Sequence, residues 1–295
     1  MLGVVNLDKP VGPTSHDMVA LMRRLTGTRR IGHAGTLDPL ASGVLPILVG
    51  AATRFSEELT GGQKRYEAVI RLGWRSATDD GQGPIEPGSA PPDTEVAVAA
   101  LSDFIGTFAQ RPPAFSARKI EGQRAHRAAR AGTPVDLPPR TVTVESLELL
   151  AAEPRPEWLD LRVDLRCGPG TYIRSIARDL GERLRCGGYL AELRRTEAAG
   201  LRVVDALPPE RLEELASAGQ LASALLPIGE LLPLPRLEID EAAGDRFRHG
   251  AVVRIEAATS ADGRHAVLVD GQLLGVGTLE AGLLQPDKVI GEATP

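Results

Sequence analysis

The chain has 295 residues, of which 42% are hydrophobic and 25% are charged, and this predicts a globular protein of about two domains. No apolar run approaches the ~20 residues of a membrane span, and the N-terminus lacks a basic segment followed by an apolar one, so we expect a cytoplasmic protein without membrane contact. Two cysteines, Cys167 and Cys186, are too few for a disulfide framework or a zinc site, and we expect buried thiols.

The net charge of −5, from 34 basic and 39 acidic residues, argues against a nucleic-acid partner if only the sum is considered. The charges are unevenly distributed, however. Residues 111–130 carry six basic side chains and one acidic, and residues 166–195 carry seven arginines and three acidic side chains. Each basic run alone fits a solvated helix face, but two such runs around one candidate site favour a polyanionic partner.

A strand, a turn and a helix are predicted at the start of the chain. Residues 3–7 fit a short strand, and the turn LDKPVGPTS over residues 7–15 leads into a helix that Thr14 or Ser15 can cap. The apolar side chains of this helix recur at helical spacing, and Gly27 stops it. We expect the turn to brace the loop that follows.

A glycine-rich loop follows at residues 32–50, with the sequence GHAGTLDPLASGVLPILVG and one acidic residue, Asp38. Three glycines of this loop allow backbone conformations or close approaches that a Cβ would block, namely Gly32, Gly35 and Gly43. Pro39 biases Asp38 towards an extended conformation, so we expect a rigid, specifically shaped loop. From its surroundings alone, Asp38 could be a nucleophile, a base, a metal ligand or a simple loop cap.

The second half of the loop continues into a predicted strand. Residues 44–49 form a short apolar run bounded by turn residues, which is typical of a buried strand. Pro46 lies within this run and favours an edge position or a bulge, because proline cannot donate a backbone hydrogen bond. Asp38 should therefore project from a loop that is anchored in the core.

The residues of this loop resemble the signature of the TruB family of tRNA pseudouridine synthases, whose pattern is close to GHxGxLDPxAxGxLPxxxG. The turn LDKPVGPTS is similar to the beginning of the same family. The resemblance implies that Asp38 is the catalytic nucleophile and that Gly35 belongs to the substrate-binding loop. It also implies that His33 lies near the extruded nucleotide and helps to hold the opened loop, without a role in proton transfer.

The next motif is Lys64-Arg65-Tyr66, at the start of a predicted strand. Apolar side chains alternate with charged ones from Tyr66 to Leu72, so Tyr66 should face inward, and a packed core aromatic is the simplest interpretation. The three residues match the KRY motif of the TruB family. The resemblance implies that Tyr66 stacks on the target uracil and is a candidate for proton removal, with Lys64 among the substrate-binding residues.

Residues 78–92 predict a turn and a loop without calcium-site spacing, and a helix should follow to about Phe104. The segment QRPPAFSARKIEG at residues 110–122 is similar to the family pattern QxPPxYSAxKxxG, although Phe115 and His126 stand where the family commonly has tyrosine. Stacking survives the change at Phe115, whereas a hydroxyl hydrogen bond is lost. The resemblance implies an RNA-gripping insertion at about 110–135, in which Arg118 and Lys119 contact the substrate.

Two strands are predicted at residues 140–150 and 158–167, followed by a helix with an apolar stripe. Arg174 lies in the first turn of this helix and off the stripe, where a solvated arginine is the simplest interpretation. The match of residues 170–174 to the family's GTYIR motif implies instead that Arg174 pairs with Asp38. Such a guanidinium would fix the carboxylate and keep it ionised. A further match at residues 187–196 implies that Leu193 lines the uracil pocket.

The C-terminal part changes character after several prolines between residues 227 and 235. Short apolar runs separated by Gly or Asp-Gly predict a small β-rich domain, which resembles a PUA-type RNA-binding domain. A packing appendage without RNA contact is the alternative. The predicted architecture is α+β, with a mixed, largely antiparallel central sheet and flanking helices of the pseudouridine synthase fold at residues 1–230, and a β-barrel-like PUA-type domain at 231–295.

The resemblance as a whole implies a tRNA pseudouridine synthase that isomerises uridine 55 in the T-loop after base flipping. It implies the T-arm stem-loop as substrate, no metal or other cofactor, no obligatory protein partner and a monomer. Three alternatives come from other classes: a noncatalytic RNA-binding or tRNA-folding protein on the same scaffold, a guide-dependent dyskerin-type synthase, and a hydrolytic glycosylase. Retention of Asp38, Tyr66 and Arg174 together argues against the first.

Overall fold

The structure is a computed structural model that describes residues 1–113, 138–255 and 261–290, together with the backbone of 119–120 and 123–124. Within these residues, nine strands form one large sheet with the order β1-β3-β12-β4-β11-β10-β7, in which β2 also pairs with β3 and β13 with β12. The strands of this sheet are β1 (Gly3–Lys9), β2 (Ile31–His33), β3 (Ala41–Val49), β4 (Lys64–Leu72), β7 (Gly106–Gln110), β10 (Arg140–Pro154), β11 (Leu159–Cys167), β12 (Gly188–Ala198) and β13 (Leu201–Arg202). Two small hairpins lie outside it, formed by β5 (Trp74–Ser76) with β6 (Ile85–Pro87) and by β8 (Lys119–Ile120) with β9 (Gln123–Arg124).

Nearly all strand pairs of the large sheet are antiparallel, which confirms the predicted sheet type. The exception is the contact between β3 and β12, which run parallel where Ala41 to Gly43 pair with Leu193 to Arg195. This short parallel contact brings the end of the Asp38 loop next to the strand that carries Leu193. The sheet itself therefore joins two motifs that are far apart in the sequence.

Helices flank the large sheet. Those of the described residues are α1 (Ser15–Thr26), α2 (Ser56–Thr60), α3 (Thr94–Leu101), α4 (Ile173–Arg183), α5 (Pro209–Ser217), α6 (Ile228–Leu231) and α7 (Glu241–Arg248). Thr14 caps α1 in a capping box with Asp17, and Gly27 ends it in the left-handed region, as predicted. None of the described helices is long and apolar enough to cross a membrane.

Pro46 occupies an interior strand, so the predicted edge or bulge is wrong. On one side, β1 pairs with β3 in continuous register, with Asn6 opposite Pro46. On the other side, β3 pairs first with β12 and then with β2, and the Pro46 carbonyl accepts a hydrogen bond from Ala34 N–H at 2.9 Å. The backbone N and O of one strand residue point to the same side of the strand. The N–H that Pro46 lacks would therefore point to the place where β3 changes its partner from β12 to β2.

The apolar faces of the sheet and the helices enclose the main core. The predicted inward face of β4 is confirmed, since Tyr66, Ala68, Ile70 and Leu72 are all buried. Both cysteines are buried free thiols, also as predicted. Burial of these side chains is the principal stabilising contribution of the fold.

A second sheet follows in the C-terminal part, with the order β14-β16-β17-β18-β15. Its strands are β14 (Arg236–Glu238), β15 (Val253–Arg254), β16 (Gly263–Val269), β17 (Gln272–Glu280) and β18 (Leu283–Val289). Phe247 of α7 packs against it, and a shared apolar cluster joins it to the large sheet through residues such as Leu48 of β3 and Val276 of β17. The predicted β-rich unit is confirmed, whereas the boundary at residue 230 stays a prediction.

Candidate active site

A cavity of about 350 Å³ lies between the Asp38 loop, β4, β12 and the start of α4. Six of the nine predicted site residues line it, and they come from four separate motifs: Gly35, Asp38, Lys64, Tyr66, Arg174 and Leu193. The structure therefore brings together the residues that the sequence singles out. A larger cavity of about 500 Å³ shares Lys64 but contains neither Asp38 nor Tyr66 nor Arg174, so chemistry rather than volume selects the smaller one.

The Asp38 loop is fixed by hydrogen bonds to α1 and its preceding turn. Ser15 Oγ donates to the Leu37 carbonyl and accepts from Leu37 N–H, both at 2.9 Å, and these two bonds clamp the residue before Asp38. Gly12 N–H donates to the Pro39 carbonyl at 2.8 Å on the other side. The predicted bracing of the loop by the N-terminal turn is confirmed.

Two of the three loop glycines are required by the backbone. Gly43 has φ +101°, and a Cβ there would overlap the backbone of Arg195 at the parallel contact between β3 and β12. Gly35 has φ +85° and lies against the Arg195 guanidinium. Gly32 has no such requirement, because its Cβ would only meet a methyl group of Thr53 at an ordinary distance of 3.5 Å.

Asp38 forms an ion pair with Arg174, whose Nη2 lies 2.9 Å from Asp38 Oδ2. The carboxylate is 40% exposed towards the cavity, whereas the arginine side chain is only 6% exposed. Arg174 Nη1 also donates to the Thr78 carbonyl at 3.1 Å and lies 3.4 Å from Asp80 Oδ2. The interpretation of Arg174 as a solvated arginine is therefore wrong, since the start of α4 packs its first turn against the 78–80 loop.

Asp80 is a site residue that the sequence analysis missed. Its side chain is buried, and its Oδ1 accepts from Thr78 Oγ1 at 2.6 Å and from Gln82 N–H at 3.0 Å. The sequence offers no signal for it, because Thr-Asp-Asp-Gly also describes an exposed turn. Its burial depends on the loop pairing with β12, where the Leu190 carbonyl accepts from Gly81 N–H.

Tyr66 and Leu193 lie on adjacent strands at the cavity wall. Burial raises the pKa of the Tyr66 phenol, although the nearby positive charge of Arg195 opposes this shift, so the hydroxyl is neutral near pH 7. Leu193 pairs with Ala68 of β4 and with Ala41 of β3, and it remains partly exposed. An aromatic ring and an aliphatic side chain thus face one polar, carboxylate-bearing wall.

Lys64 lines the cavity, but its ammonium is already engaged. Nζ donates to the carbonyls of Thr60 at 2.7 Å and Gly62 at 2.6 Å, which terminates α2 with a cation. Burial, followed by repulsion from Arg195, lowers the pKa of Lys64 to about 8. These contacts favour a structural role at the cavity wall.

Lys9 and Arg195 are two further buried cations that the sequence analysis did not assign. Lys9 Nζ donates to the Pro10 and Pro13 carbonyls, and burial lowers its pKa to about 8 although Asp38 opposes the shift. Arg195 lines the cavity and is 1% exposed; it donates Nε to the Val44 carbonyl at 2.7 Å and Nη2 to the Gly35 carbonyl at 2.9 Å. Strand alternation was a signal for both, because Lys9 shares a face with buried Leu7, and Arg195 with Leu193.

Among the predicted site residues whose side chains the structure describes, His33 is the one that does not line the cavity. Its ring lies edge-on to His16, with 6.1 Å between the centroids, and Nδ1 is buried without a hydrogen-bond partner among the described residues. Burial, followed by repulsion from His16 and Arg195, lowers the pKa of the imidazole, which is therefore neutral near pH 7. Arg118 and the side chain of Lys119 lie outside the described residues, as do Phe115 and His126.

The site thus combines a loop aspartate held by a buried arginine with a tyrosine and a leucine across one cavity of a largely antiparallel sheet. Comparison with known proteins shows that the chain is a pseudouridine synthase. Three family models match consecutive parts of the chain. They are TruB family pseudouridylate synthase (N terminal domain) at residues 23–173, tRNA pseudouridylate synthase B C-terminal domain at 174–233, and Pseudouridine synthase II TruB, C-terminal at 235–290. The chain belongs to the TruB family of pseudouridylate synthases.

Individual proteins support this assignment. The tRNA pseudouridine synthase B of Synechococcus elongatus is 42% identical over 298 residues, with 98% of both chains covered. That of Acaryochloris marina is 44% identical over 293 residues, covering 98% of this chain and 99% of the relative. A chain in a crystal structure of a Cbf5-Nop10-Gar1 complex superposes with a TM-score of 0.72 at 26% identity, covering 98% of this chain and 84% of the other.

Proposed function

We propose that this enzyme isomerises uridine 55 in the T-loop of tRNA to pseudouridine, with Asp38 as the catalytic nucleophile. The carrying observation is the pairing of a cavity-facing carboxylate with a buried arginine at 2.9 Å. The relatives named tRNA pseudouridine synthase B support tRNA as the substrate. The T-arm stem-loop is the proposed recognition element, and the enzyme acts as a monomer without a protein partner.

The proposed substrate complex requires the uridine to leave the helical stack, at a cost of a few kcal/mol. Tyr66 supplies an aromatic wall for the uracil, and Leu193 on the neighbouring strand packs against the uracil. Arg174 fixes the orientation of Asp38, so the carboxylate needs little rearrangement once the nucleotide enters. Basic side chains outside the cavity hold the phosphates.

Three first steps are available to the Asp38 carboxylate. It can attack C1′ of the ribose and displace uracil, add to C6 of the base, or remove a proton from C2′ so that uracil leaves as a glycal forms. In each route the uracil turns and C5 bonds to C1′, while the bond from Asp38 to C1′ or C6 breaks or C2′ of the glycal regains its proton. The C5 proton is then lost, and N1, which has left the ribose, carries a proton in the product. The product has the mass of the substrate. Deuterium at C2′ gives a large primary isotope effect only in the proton-removal route, so the size of the isotope effect distinguishes that route.

The deciding experiment incubates purified protein with an unmodified T-arm RNA and maps pseudouridine by carbodiimide modification. Wild-type protein should modify the T-loop uridine, while Asp38→Asn should bind the RNA without forming product. Full activity in Asp38→Asn would refute the nucleophile assignment. Release of free uracil would indicate a glycosylase. If the wild type binds the RNA without forming product, the protein is noncatalytic. Activity only in the presence of guide RNA and accessory proteins would indicate a guide-dependent synthase.

We further propose that residues 1–230 form the catalytic domain, with an RNA-gripping insertion at about 110–135, and that residues 231–295 form an RNA-binding domain. The separate second sheet with its own core supports the division. Whether the C-terminal sheet contacts RNA is tested with variants in which surface charges of that sheet are reversed. The footprint on bound tRNA and the RNA affinity of these variants are compared with those of the wild type. An unchanged footprint and affinity would favour a packing role.

A further inference from the structure

The start of α4 is tied to the end of β7 by one buried side-chain amide. Gln110, the last residue of β7, is 1% exposed. Its Oε1 accepts from Tyr172 N–H at 2.9 Å, and its Nε2 donates to the Tyr172 carbonyl at 3.0 Å. The Gln110 amide therefore forms hydrogen bonds to both the N–H and the carbonyl of one residue, as the backbone of a neighbouring strand would.

The residue next to Gln110 is held by the same helix. Ser175 Oγ and Arg178 Nη2 both donate to the Arg111 carbonyl, each at 2.9 Å. Arg178 Nη1 also pairs with Asp79 at 2.9 Å, in the loop that presents Asp80. The first turns of α4 are thus joined both to the end of β7 and to the 78–80 loop.

This attachment matters because α4 has no side-chain cap of its own. Tyr172 occupies the N-cap position without a side-chain cap hydrogen bond, and its carbonyl accepts the first helical bond, from Ile176 N–H, at a long 3.3 Å. Arg174 follows two residues later and must reach Asp38 at 2.9 Å and Asp80 at 3.4 Å. The position of the Tyr172 peptide therefore sets where the guanidinium can lie.

We propose that Gln110 is a positioning residue of the active site, whose amide anchors the Tyr172 peptide and so fixes the helix start that presents Arg174 to Asp38. This inference rests on the proposed isomerisation. Gln110 does not line the cavity, whereas Tyr172 and Arg174 do, so Gln110 acts through this helix start and contributes to the rate of the chemical step rather than to RNA affinity.

The test uses single turnovers of T-arm RNA with the full-length enzyme in saturating excess. Gln110→Met keeps a similar length and removes both hydrogen bonds, and its rate constant should fall about 10- to 100-fold, while the Kd for RNA changes less than about twofold. Gln220→Met, at an exposed position, is the matched control and should retain the wild-type rate. Because enzyme is in excess, a smaller folded fraction does not lower the rate constant.

A double-mutant cycle separates positioning from a general structural effect. If Gln110 acts through Arg174, adding Gln110→Met to Arg174→Lys should lower the rate little further, whereas independent effects would multiply. If Gln110→Met does not fold, Gln110→Asn takes its place, since its amide is one methylene too short to reach both groups. A wild-type rate in the folded variant, or full multiplication in the cycle, overturns the proposal. Absence of conversion by the wild type refutes the proposed function instead.

Discussion

Arg174 donates Nη2 to Asp38 at 2.9 Å from a side chain that is itself almost fully buried. The carboxylate remains open to the cavity, so its orientation is fixed by the ion pair while it stays accessible to a ligand. Nη1 points the other way, towards Asp80 and the Thr78 carbonyl. A planar guanidinium can serve both directions at once, which a lysine ammonium cannot do with the same geometry.

Arg174→Lys should therefore lower the single-turnover rate on the order of 100-fold, with nearly unchanged RNA affinity, because misplacing a reacting group by about 1 Å has an effect of this size. Rate constants and Kd values with T-arm RNA measure the two quantities separately. Arg183→Lys is the control, since Arg183 lies on the same helix in an exposed ion pair with Asp103. A substitution at Arg174 that weakens binding but spares the rate would contradict the assigned role.

Asp80→Asn should lower both stability and rate. The amide can keep the acceptor for Thr78 Oγ1 and Gln82 N–H, but its NH₂ group would then face the Arg174 guanidinium in place of a carboxylate oxygen. We expect a loss of about 1–3 kcal/mol in the free energy of unfolding and a rate reduction smaller than that of Arg174→Lys. Denaturant unfolding and single turnovers measure them. Asp205→Asn, in an exposed ion pair with Arg202, should change neither quantity.

The sequence predicted the parts of the site that strand periodicity or a motif could mark. Alternation along β4 correctly predicted that Tyr66 faces inward. The match of the glycine-rich loop to the family signature singled out Asp38, which lines the cavity. Arg174 is different, because its residue pattern predicted a solvated side chain and only the family resemblance paired it with Asp38. Whether a side chain in the first turn of a helix is solvated or buried depends on what packs against that turn. In this fold the 78–80 loop, which is distant in the sequence, packs against the first turn of α4.

The burial of Asp80 and the interior strand position of Pro46 could not be predicted from local sequence patterns. Asp80 is buried because its loop pairs with β12, which is about 110 residues away in the sequence, and no turn propensity contains that information. Pro46 predicted an edge position or a bulge because proline lacks a backbone donor, yet β3 changes its partner at that residue and needs no donor there. Strand order is a tertiary property, and it overrode a sound local rule.

Gly43→Ala should destabilise the protein by about 2–5 kcal/mol, because overpacking and a strained backbone add. The new Cβ would overlap the Arg195 backbone and would also sit on a residue with φ +101°. Gly219→Ala separates the two effects, since Gly219 has φ +70° but no neighbouring atom within 4 Å of its Cβ. Equal losses in the two variants, measured by denaturant unfolding, would show that the contact between β3 and β12 tolerates a methyl group.

Glu58→Gln should weaken the attachment of the C-terminal sheet. The Glu58 side chain is 4% exposed and pairs with Arg264 at 2.9 Å and with Lys288 at 2.9 Å, both from that sheet. Loss of these charge-assisted bonds should lower the free energy of unfolding by about 1–3 kcal/mol at pH 7. Glu57→Gln, at an 87% exposed position that contacts Lys288 more weakly, should have a smaller effect.

The effect of Glu58→Gln should depend on pH. Burial opposes the shift, but hydrogen bonds from Lys288 and Arg264 hold the pKa of Glu58 below its ordinary value of 4.5. A carboxylate with a lowered pKa stabilises the folded state fully above the unfolded pKa, and this contribution disappears as the pH falls through the folded pKa. The stability difference between wild type and Glu58→Gln should therefore be constant near pH 7 and shrink below pH 4.5. A difference that is unchanged at pH 3 would contradict this account.

The two thiols should be inert in the folded protein. Burial raises the pKa of Cys167 to about 11 and also raises that of Cys186 above its ordinary value of 9.0. A thiol-disulfide reagent at pH 8 should thus find almost no thiolate in the native state and two reactive thiols per chain in denaturant. The control variants Cys167→Ala and Cys186→Ala should each leave one. If the native protein reacts at the rate of the unfolded one, the thiols are accessible. In Cys186→Ala, a slow reaction that accelerates with denaturant measures the opening of the strand that carries Cys167.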